Sequence, residues 1–190
     1  SWVGPEGDNT DIYVKLIGPG APLRLTNDPA QDRGPAWSPD GRWIAFVRFP
    51  SRGPSAVFLI PALGGPERKL AEGSHSPYWF FSWLAWTKDS KWLVVSDEEH
   101  GLEPSGLCLL SIETGQRRRI TSFPSLSPAL SPDGGRLAFI RYFDVSSREV
   151  YLANLSEDLR LLGEPRRLTF LNQALASPVW TPDGREVLFS

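Results

Sequence analysis

The chain has 190 residues, and its 20 Lys and Arg side chains nearly balance its 22 Asp and Glu side chains, for a formal net charge of −2. The charges are interspersed and create no global field toward a nucleic-acid backbone or an anionic membrane, so we expect no direct contact with either. The 17 glycines and 18 prolines are scattered along the chain, which favours many short elements over a few long ones.

The first predicted turn lies within WSPDGRWIAF, residues 37–46. Proline presets the second position of a turn, aspartate suits the third, and glycine supplies a left-handed residue after them, which predicts a tight reversal between two strands. The motif recurs as LSPDGGRLAF and WTPDGREVLF, and more weakly as WTKDSKWLVV. In the weaker copy Lys88 and Ser90 replace Pro and Gly, which predicts a looser turn or one of another type. The predicted turn residues are Pro39, Asp40, Gly41, Asp89, Pro132, Asp133, Gly134, Pro182, Asp183 and Gly184.

A second element repeats around these turns, as DIYVKLIGPGAPLRLT, AVFLIPALGGPERKLA, LCLLSIETGQRRRIT and EVYLANLSEDLRLLGEPRRLT. Each copy is an apolar run, a turn and a short basic-apolar run. The turn aspartates are separated by 49, 44 and 50 residues. Four short antiparallel strands per period, with both faces covered by neighbours, is the pattern of a β-propeller blade. The sequence therefore predicts an all-β propeller of four-stranded antiparallel blades.

The repeat divides the chain into four blade-equivalents, one of them split between the termini. The boundaries predict a half-blade at 1–26, containing the last two strands of a blade, full blades at 34–73, 84–122 and 128–170, and a half-blade at 178–190.

Unpaired strand edges invite pairing, so residues 186–190 could pair with residues 11–17 within one chain or across two. A closed four-bladed ring, eight blades from two chains, and a larger ring built by a longer chain all stay open. We favour a fragment of a larger ring that closes as a homodimer through strand pairing of the split blade. The chain contains no methionine, and we expect it to be processed or cut from a longer polypeptide.

The SPDGRWIAF, SPDGGRLAF and TPDGREVLF units resemble TolB-type (WD-repeat-like) β-propeller repeats, and the resemblance covers essentially the whole chain. The stretch DIYVKLIGPGAPLRLTNDPAQDRGPAWSPDGRWIAFVR is similar, more narrowly, to propellers carried C-terminally by large bacterial signalling proteins, behind a winged-helix DNA-binding or a protein-kinase domain. This resemblance implies a bacterial protein. TolB itself is a periplasmic envelope protein with an additional N-terminal domain, which we do not expect in this chain.

Motifs that carry catalysis are missing from the sequence, which has no GxSxG nucleophile elbow, no HExxH and no GxxxxGK[ST]. Asp97, Glu98, Glu99 and His100 place three carboxylates beside an imidazole. They could bind a hard cation or exchange protons, although a solvated loop between two strands is the simpler interpretation. We include these four residues in the predicted ligand- or partner-binding site. We therefore predict that the chain is not an enzyme and uses no metal and no cofactor.

One link between blades is longer than the others. From the apolar residue of an outer strand to the start of the next turn motif, the spacing is 16 residues in the second link and 10 to 12 in the rest. In a propeller this link lies on the face that usually binds ligands. The aromatic side chains of the insert could bind a protein or small ligand there, or could pack between blades; they are Tyr78, Trp79, Phe80, Phe81 and Trp83.

The function predicted from these features is a non-catalytic propeller that binds a protein or small ligand, as the sensory or scaffolding part of a larger bacterial protein. Two alternatives stay open, the gating propeller of a serine peptidase and a TolB-like periplasmic envelope component. Cys108 is the single cysteine and can form no intrachain disulfide, so the sequence leaves cytoplasm and periplasm equally open.

Overall fold

The computed structural model describes residues 2–3, 10–73, 84–97, 106–143, 147–171, 175 and 177–190. All regular structure within these residues is β-strand, in eighteen strands numbered β1 to β18 along the chain. No helix occurs in the described ranges, and accordingly none of them contains a helix able to cross a membrane. The predicted all-β architecture is confirmed.

Three four-stranded antiparallel sheets form the body of the chain, and each has its strands in sequence order. The first contains β5 (Gln31–Trp37), β6 (Trp43–Phe49), β7 (Ser55–Pro61) and β8 (Arg68–Gly73). The second contains β9 (Leu84–Trp86), β10 (Trp92–Asp97), β11 (Gly106–Ser111) and β12 (Arg117–Arg119). The third contains β13 (Ser125–Leu130), β14 (Arg136–Tyr142), β15 (Arg148–Leu155) and β16 (Leu161–Arg167). The first and third sheets begin three residues before the predicted blade bounds of 34–73 and 128–170, and the second sheet lies within 84–122.

Short strands lie at the two ends of the chain, within the predicted half-blades. β1 (Trp2–Val3) pairs with β2 (Thr10–Asp11), β3 (Tyr13–Val14) pairs with β4 (Leu23–Arg24), and β17 (Val179–Trp180) pairs with β18 (Val187–Leu188). The sequence pattern predicted two strands in the first half-blade, whereas the structure has four two-residue strands there, β1 to β4. Pairing of residues 186–190 with residues 11–17 stays a prediction.

The SPDG motifs form tight turns held by the aspartate side chain. The Ser38 hydroxyl and the Arg42 backbone N–H both donate to Asp40 Oδ1, at 2.6 and 3.0 Å. The N–H of Gly41, which has a φ of +73°, closes the turn onto the Ser38 carbonyl at 2.9 Å. The turns at Asp133 and Asp183 repeat this arrangement.

The prediction of a looser or different turn at Asp89 is wrong. The Thr87 hydroxyl and the Lys91 N–H donate to Asp89 Oδ1, at 2.6 and 3.1 Å, as in the other copies. Ser90 takes the glycine position with a φ of +58°. Its hydroxyl accepts the backbone N–H of Asp40 from the neighbouring turn at 3.1 Å, and this contact offsets the cost of a left-handed residue that is not glycine.

The turn aspartates should make the fold sensitive to acid. Hydrogen bonds from the Ser or Thr hydroxyl, and then from the backbone, lower the pKa of Asp40, Asp133 and Asp183 below the ordinary value of 3.8. A lowered pKa in the folded state contributes stability that is fully present above pH 3.8 and is lost as the pH falls through the lowered values.

We expect the urea midpoint of unfolding to fall less between pH 6 and pH 3 when Asp40, Asp133 and Asp183 are all replaced by Asn. Asparagine keeps the oxygen that accepts both hydrogen bonds but does not titrate. An equal fall in the variant and the parent would show that these carboxyl groups do not control the acid response.

Consecutive sheets stack face to face, with their first strands side by side. The Trp86 indole N–H on β9 donates to the Ala36 carbonyl on β5 at 2.9 Å, and the Trp180 indole N–H on β17 donates to the Ala129 carbonyl on β13, also at 2.9 Å. The buried clusters also cross between sheets: one joins Val47 of the first sheet to Leu110 of the second, and another joins Leu107 of the second to Phe139 of the third. Burial of both faces explains the near-continuous apolar strands.

The stacking gives the molecule two faces. The turn face carries the hairpins that join first to second strands and third to fourth strands. The loop face carries the segments that join second to third strands and the links from one sheet to the next. The aromatic insert at 74–83 lies between β8 and β9 in the sequence and outside the described residues.

Candidate functional site

Most residues predicted to bind a ligand lie outside the described part of the structure. This applies to Tyr78, Trp79, Phe80, Phe81 and Trp83, and also to Glu98, Glu99 and His100. Asp97 is the last residue of β10, so the acidic segment begins where a strand reaches the loop face. Their role as a binding site stays a prediction. Other side chains of the loop face form a candidate site within the described residues.

Arg48, near the end of β6, is the centre of a buried charge cluster between the first half-blade and the first full sheet. Its Nε and Nη2 atoms donate to the two carboxylate oxygens of Asp32, at 2.6 and 2.7 Å. Its Nη1 atom lies 3.2 Å from Asp28 and 2.7 Å from Glu67. The guanidinium also lies over the rings of two phenylalanines, Phe46 and Phe58. One arginine thus holds three carboxylates on the loop-face side of a blade.

Burial and neighbouring charge act in opposite directions on the pKa of Asp32. Desolvation is the largest influence and raises the pKa of this fully buried carboxyl, while hydrogen bonds from Arg48 and Thr26 act to lower it. For Arg48, burial alone would lower the pKa of the guanidinium, but the hydrogen bonds that it donates to Asp32 and Glu67 raise it above its ordinary value. The cation is therefore firmly charged, and Asp32 depends on it for compensation.

A threonine after the fourth strand ties that strand to the third in several blades. The hydroxyl of Thr26 accepts the Ile12 N–H at 3.0 Å and lies 3.3 Å from the Asp11 carboxylate, which pairs with Arg24 at 2.5 Å. In the third full sheet, Thr169, Glu149 and Arg167 repeat this set. These buried pairs fix the strand ends from which the loop-face segments leave.

Arg141, at the end of β14, lies in an aromatic environment on the loop face. Its guanidinium carbon is 4.5 Å from the ring centre of Phe123, 5.1 Å from that of Phe143 and 5.5 Å from that of Tyr151. Phe143 is 57% exposed, and Phe170, which lies under Arg167 on the same face, is 73% exposed. Cations and exposed aromatic rings therefore occur together where the third sheet meets solvent.

The turn face has a cleft of a different kind, with a volume of about 420 Å³, between the second and third sheets. Its charged groups already interact with each other: Arg160 pairs with the Asp158 side chain at 2.5 Å, and Arg118 donates to the Asp158 carbonyl. The remaining lining comes from Asp89, Trp92, Glu157 and Leu159. This mutual satisfaction makes the cleft a weaker candidate than the loop face.

In the described ranges, no three His, Cys, Asp or Glu side chains are grouped so that they could hold a metal ion. Cys108 is buried in β11 and packs with the core between the first and second sheets.

Sequence reasoning missed both arginines, although the repeat contains a signal for them. The segments FVRF (46–49) and FIRY (139–142) lie at the same distance from their SPDG turns. Each places an arginine two residues after a buried phenylalanine, at the end of a second strand. A charged residue repeated at the end of an apolar strand indicates a partner on the adjacent link.

The chain is similar to several known proteins in its sequence. No protein-family model matches the chain. An uncharacterized protein from Agrobacterium fabrum is 27% identical over 144 residues, which cover 71% of this chain and 48% of the relative. A TolB homolog from Chlorobium chlorochromatii is 32% identical over 120 residues, covering 62% of this chain and 25% of the relative. The chain therefore spans about half, or less, of the length of these relatives.

Two solved structures show the same fold. TolB from Acinetobacter baumannii aligns with a TM-score of 0.71 and 20% identity over 89% of this chain and 40% of that protein. The β-propeller domain of the Trilobed protease from Pyrococcus furiosus aligns with a TM-score of 0.58 and 14% identity, over 81% of this chain and 46% of that chain. The chain has a TolB-like β-propeller fold, as its repeats predicted.

Proposed function

We propose that this chain is a non-catalytic propeller module that binds a protein or small ligand on its loop face, within a larger bacterial protein. The observation that carries the proposal is the combination of Arg141, Arg167 and exposed Phe143 and Phe170 at one end of the third sheet. Aromatic and arginine side chains are the residues most enriched where proteins bind each other. Loops held by a rigid scaffold are also the usual location of binding residues.

The larger protein that we favour is a signalling protein in which the propeller is the sensory or scaffolding part. This follows the resemblance of the repeats to C-terminal propellers of such proteins. Similarity to the Trilobed protease propeller supports the alternative of a gating propeller in a serine peptidase. Similarity to TolB supports the alternative of an envelope component. All three assign the propeller a binding role without chemistry of its own.

Selection of peptides from a random phage-displayed library on the purified chain tests the shared part of this proposal. We expect selected peptides to bind the parent but to lose about tenfold or more in affinity to Phe170→Ser, because exposed aromatic anchors dominate such contacts. Leu63→Ser is the matched control, since Leu63 is 81% exposed on the turn face. Mass spectrometry of the selected peptides after incubation should show them intact.

Peptides that depend on Leu63 and not on Phe170 would contradict the loop-face assignment. Failure to enrich any peptide would contradict a peptide-binding role. Cleavage of the peptides by the purified chain would contradict the assignment as a non-catalytic module.

A further inference from the structure

Arg141 occupies the position in the third sheet that Arg48 occupies in the first. Across the first pair of strands, Arg48 lies opposite Asp32 and Arg141 lies opposite Ser125. The preceding links also correspond, because Asp32 hydrogen-bonds to Thr26, and the Ser125 hydroxyl lies 2.5 Å from that of Thr121. The internal repeat thus provides two versions of one site, with an acid in the first and a serine in the second.

The two arginines differ in the groups that contact their guanidinium N–H donors and positive charge. Arg48 is paired with three carboxylates, and Asp32 binds it through two parallel hydrogen bonds. Arg141 makes no ion pair and no hydrogen bond with any residue that the structure describes, and its contacts there are the three aromatic rings. Glu149, which lies opposite Arg141 on β15, forms an ion pair with Arg167.

Contact with an aromatic face uses the positive charge of a guanidinium but not its N–H donors. A planar fork of N–H groups matches a carboxylate in two parallel bonds, and this is how Asp32 meets Arg48. Ser125 carries a hydroxyl where Asp32 carries a carboxylate, and this hydroxyl lies 2.5 Å from that of Thr121, so a carboxylate for Arg141 has to come from elsewhere.

We infer that Arg141 binds a carboxylate of a peptide ligand, from an acidic side chain or a C-terminus, in the position that the Asp32 carboxylate takes at Arg48. The inference rests on the proposed loop-face function and names the chemical group that the ligand presents to the site. Phe123 and exposed Phe143 provide an apolar wall for the residue that carries the carboxylate. A carboxylate is the group that Asp32 presents to Arg48, and it is therefore the ligand that we assign to the corresponding arginine.

The Nε–Hε resonance of Arg141, assigned by its loss in Arg141→Gln, reports this binding directly. We expect it to shift saturably on titration with N-acetylglutamate α-amide or N-acetylglycine at low salt. The first probe represents an acidic side chain and the second a C-terminus, and the tighter of the two identifies the source. N-acetylglutamine α-amide is the neutral control and should bind about tenfold more weakly or worse, since a charge-assisted bond is replaced by a neutral one.

Ser125→Asp is the decisive variant, because it places in the third sheet the acid that occupies the first. We expect it to remove the response to both acidic probes while retaining or raising the thermal midpoint. Ser125→Asn introduces a side chain of the same shape as aspartate but without its charge. It should weaken the response much less than Ser125→Asp does. Equal shifts with the acidic and neutral probes, or a full response in Ser125→Asp, would overturn the inference.

The outcome is separable from that of the proposed function. Selected peptides that need Phe170 but bind Arg141→Gln and the parent equally would remove the carboxylate site and leave the loop-face function in place. Loss of every loop-face peptide would remove the function itself.

Discussion

Replacing Arg48 by Met is expected to lower the free energy of unfolding by about 3–5 kcal/mol, the cost of removing one partner from a buried ion pair. The Asp32 carboxylate is fully buried and has two of its hydrogen bonds from Arg48. Methionine keeps much of the apolar stem but leaves that carboxylate without a counter-charge. Urea unfolding at pH 7, followed by far-ultraviolet circular dichroism, measures the change.

Two further variants separate lost charge compensation from a general effect of the substitution. Arg185→Met removes an arginine that lies 3.9 Å from Asp183 on the surface, and should change stability by less than about 1 kcal/mol. Adding Asp32→Leu to Arg48→Met removes the uncompensated carboxylate and should restore much of the loss. Equal losses in Arg48→Met and Arg185→Met would contradict the account of the cluster.

Replacing Gly115 by Ala is expected to destabilise the fold through backbone strain and a steric clash together. Gly115 ends the turn between β11 and β12 with a φ of +72°, and a Cβ atom there would lie 2.6 Å from the Leu70 carbonyl oxygen on β8 of the preceding sheet. The left-handed conformation costs an alanine roughly 1–2 kcal/mol, and overpacking against a fixed backbone adds about 1–3 kcal/mol.

Gly41 provides a matched control for the strain alone. Its φ is +73°, and no atom lies within 4 Å of the position that a Cβ would take. Gly41→Ala should therefore lose only the roughly 1–2 kcal/mol of the left-handed conformation. Equal urea-unfolding losses for the two variants would mean that the β11–β12 turn does not pack on the preceding sheet as described.

The regular part of the fold could be predicted because residues close together in each repeat determine it. Each turn needs only a proline or its substitute, an aspartate and a left-handed residue, and each strand needs only an apolar run. The wrong expectation at Asp89 has a non-local cause. The hydroxyl that makes Ser90 acceptable accepts a hydrogen bond from Asp40, fifty residues earlier, and no local pattern reveals that contact.

The charged clusters were harder to predict because their members come from different strands and links. Asp32 lies in a segment that reads as a connection, and it meets Arg48 only through the register of β5 on β6. The aspartates that the sequence does mark at fixed spacing are turn formers. The aromatic insert at 74–83 lies outside the described residues, so its part in the loop face stays a prediction.

The two arginines show how one repeat can supply both a structural and a binding element. Asp32 provides a carboxylate to Arg48 from within the chain, whereas Ser125 provides none to Arg141, whose guanidinium lies among aromatic rings. In our proposal, a single difference between the copies, Asp32 against Ser125, separates an internal ion pair from a ligand site. Such differences between copies are a more specific guide to function in a repeat protein than the features that the copies share.

Stacking of consecutive sheets through their first strands is the claim on which both faces and both arginine sites depend. Hydrogen exchange of the tryptophan indole N–H groups, followed by NMR in D₂O, tests it most directly. The Trp86 indole, bonded to the Ala36 carbonyl at 2.9 Å and only 9% exposed, should exchange far more slowly than that of Trp37, which is 51% exposed. Exchange of the Trp86 indole as rapid as that of Trp37 would contradict the stacked arrangement.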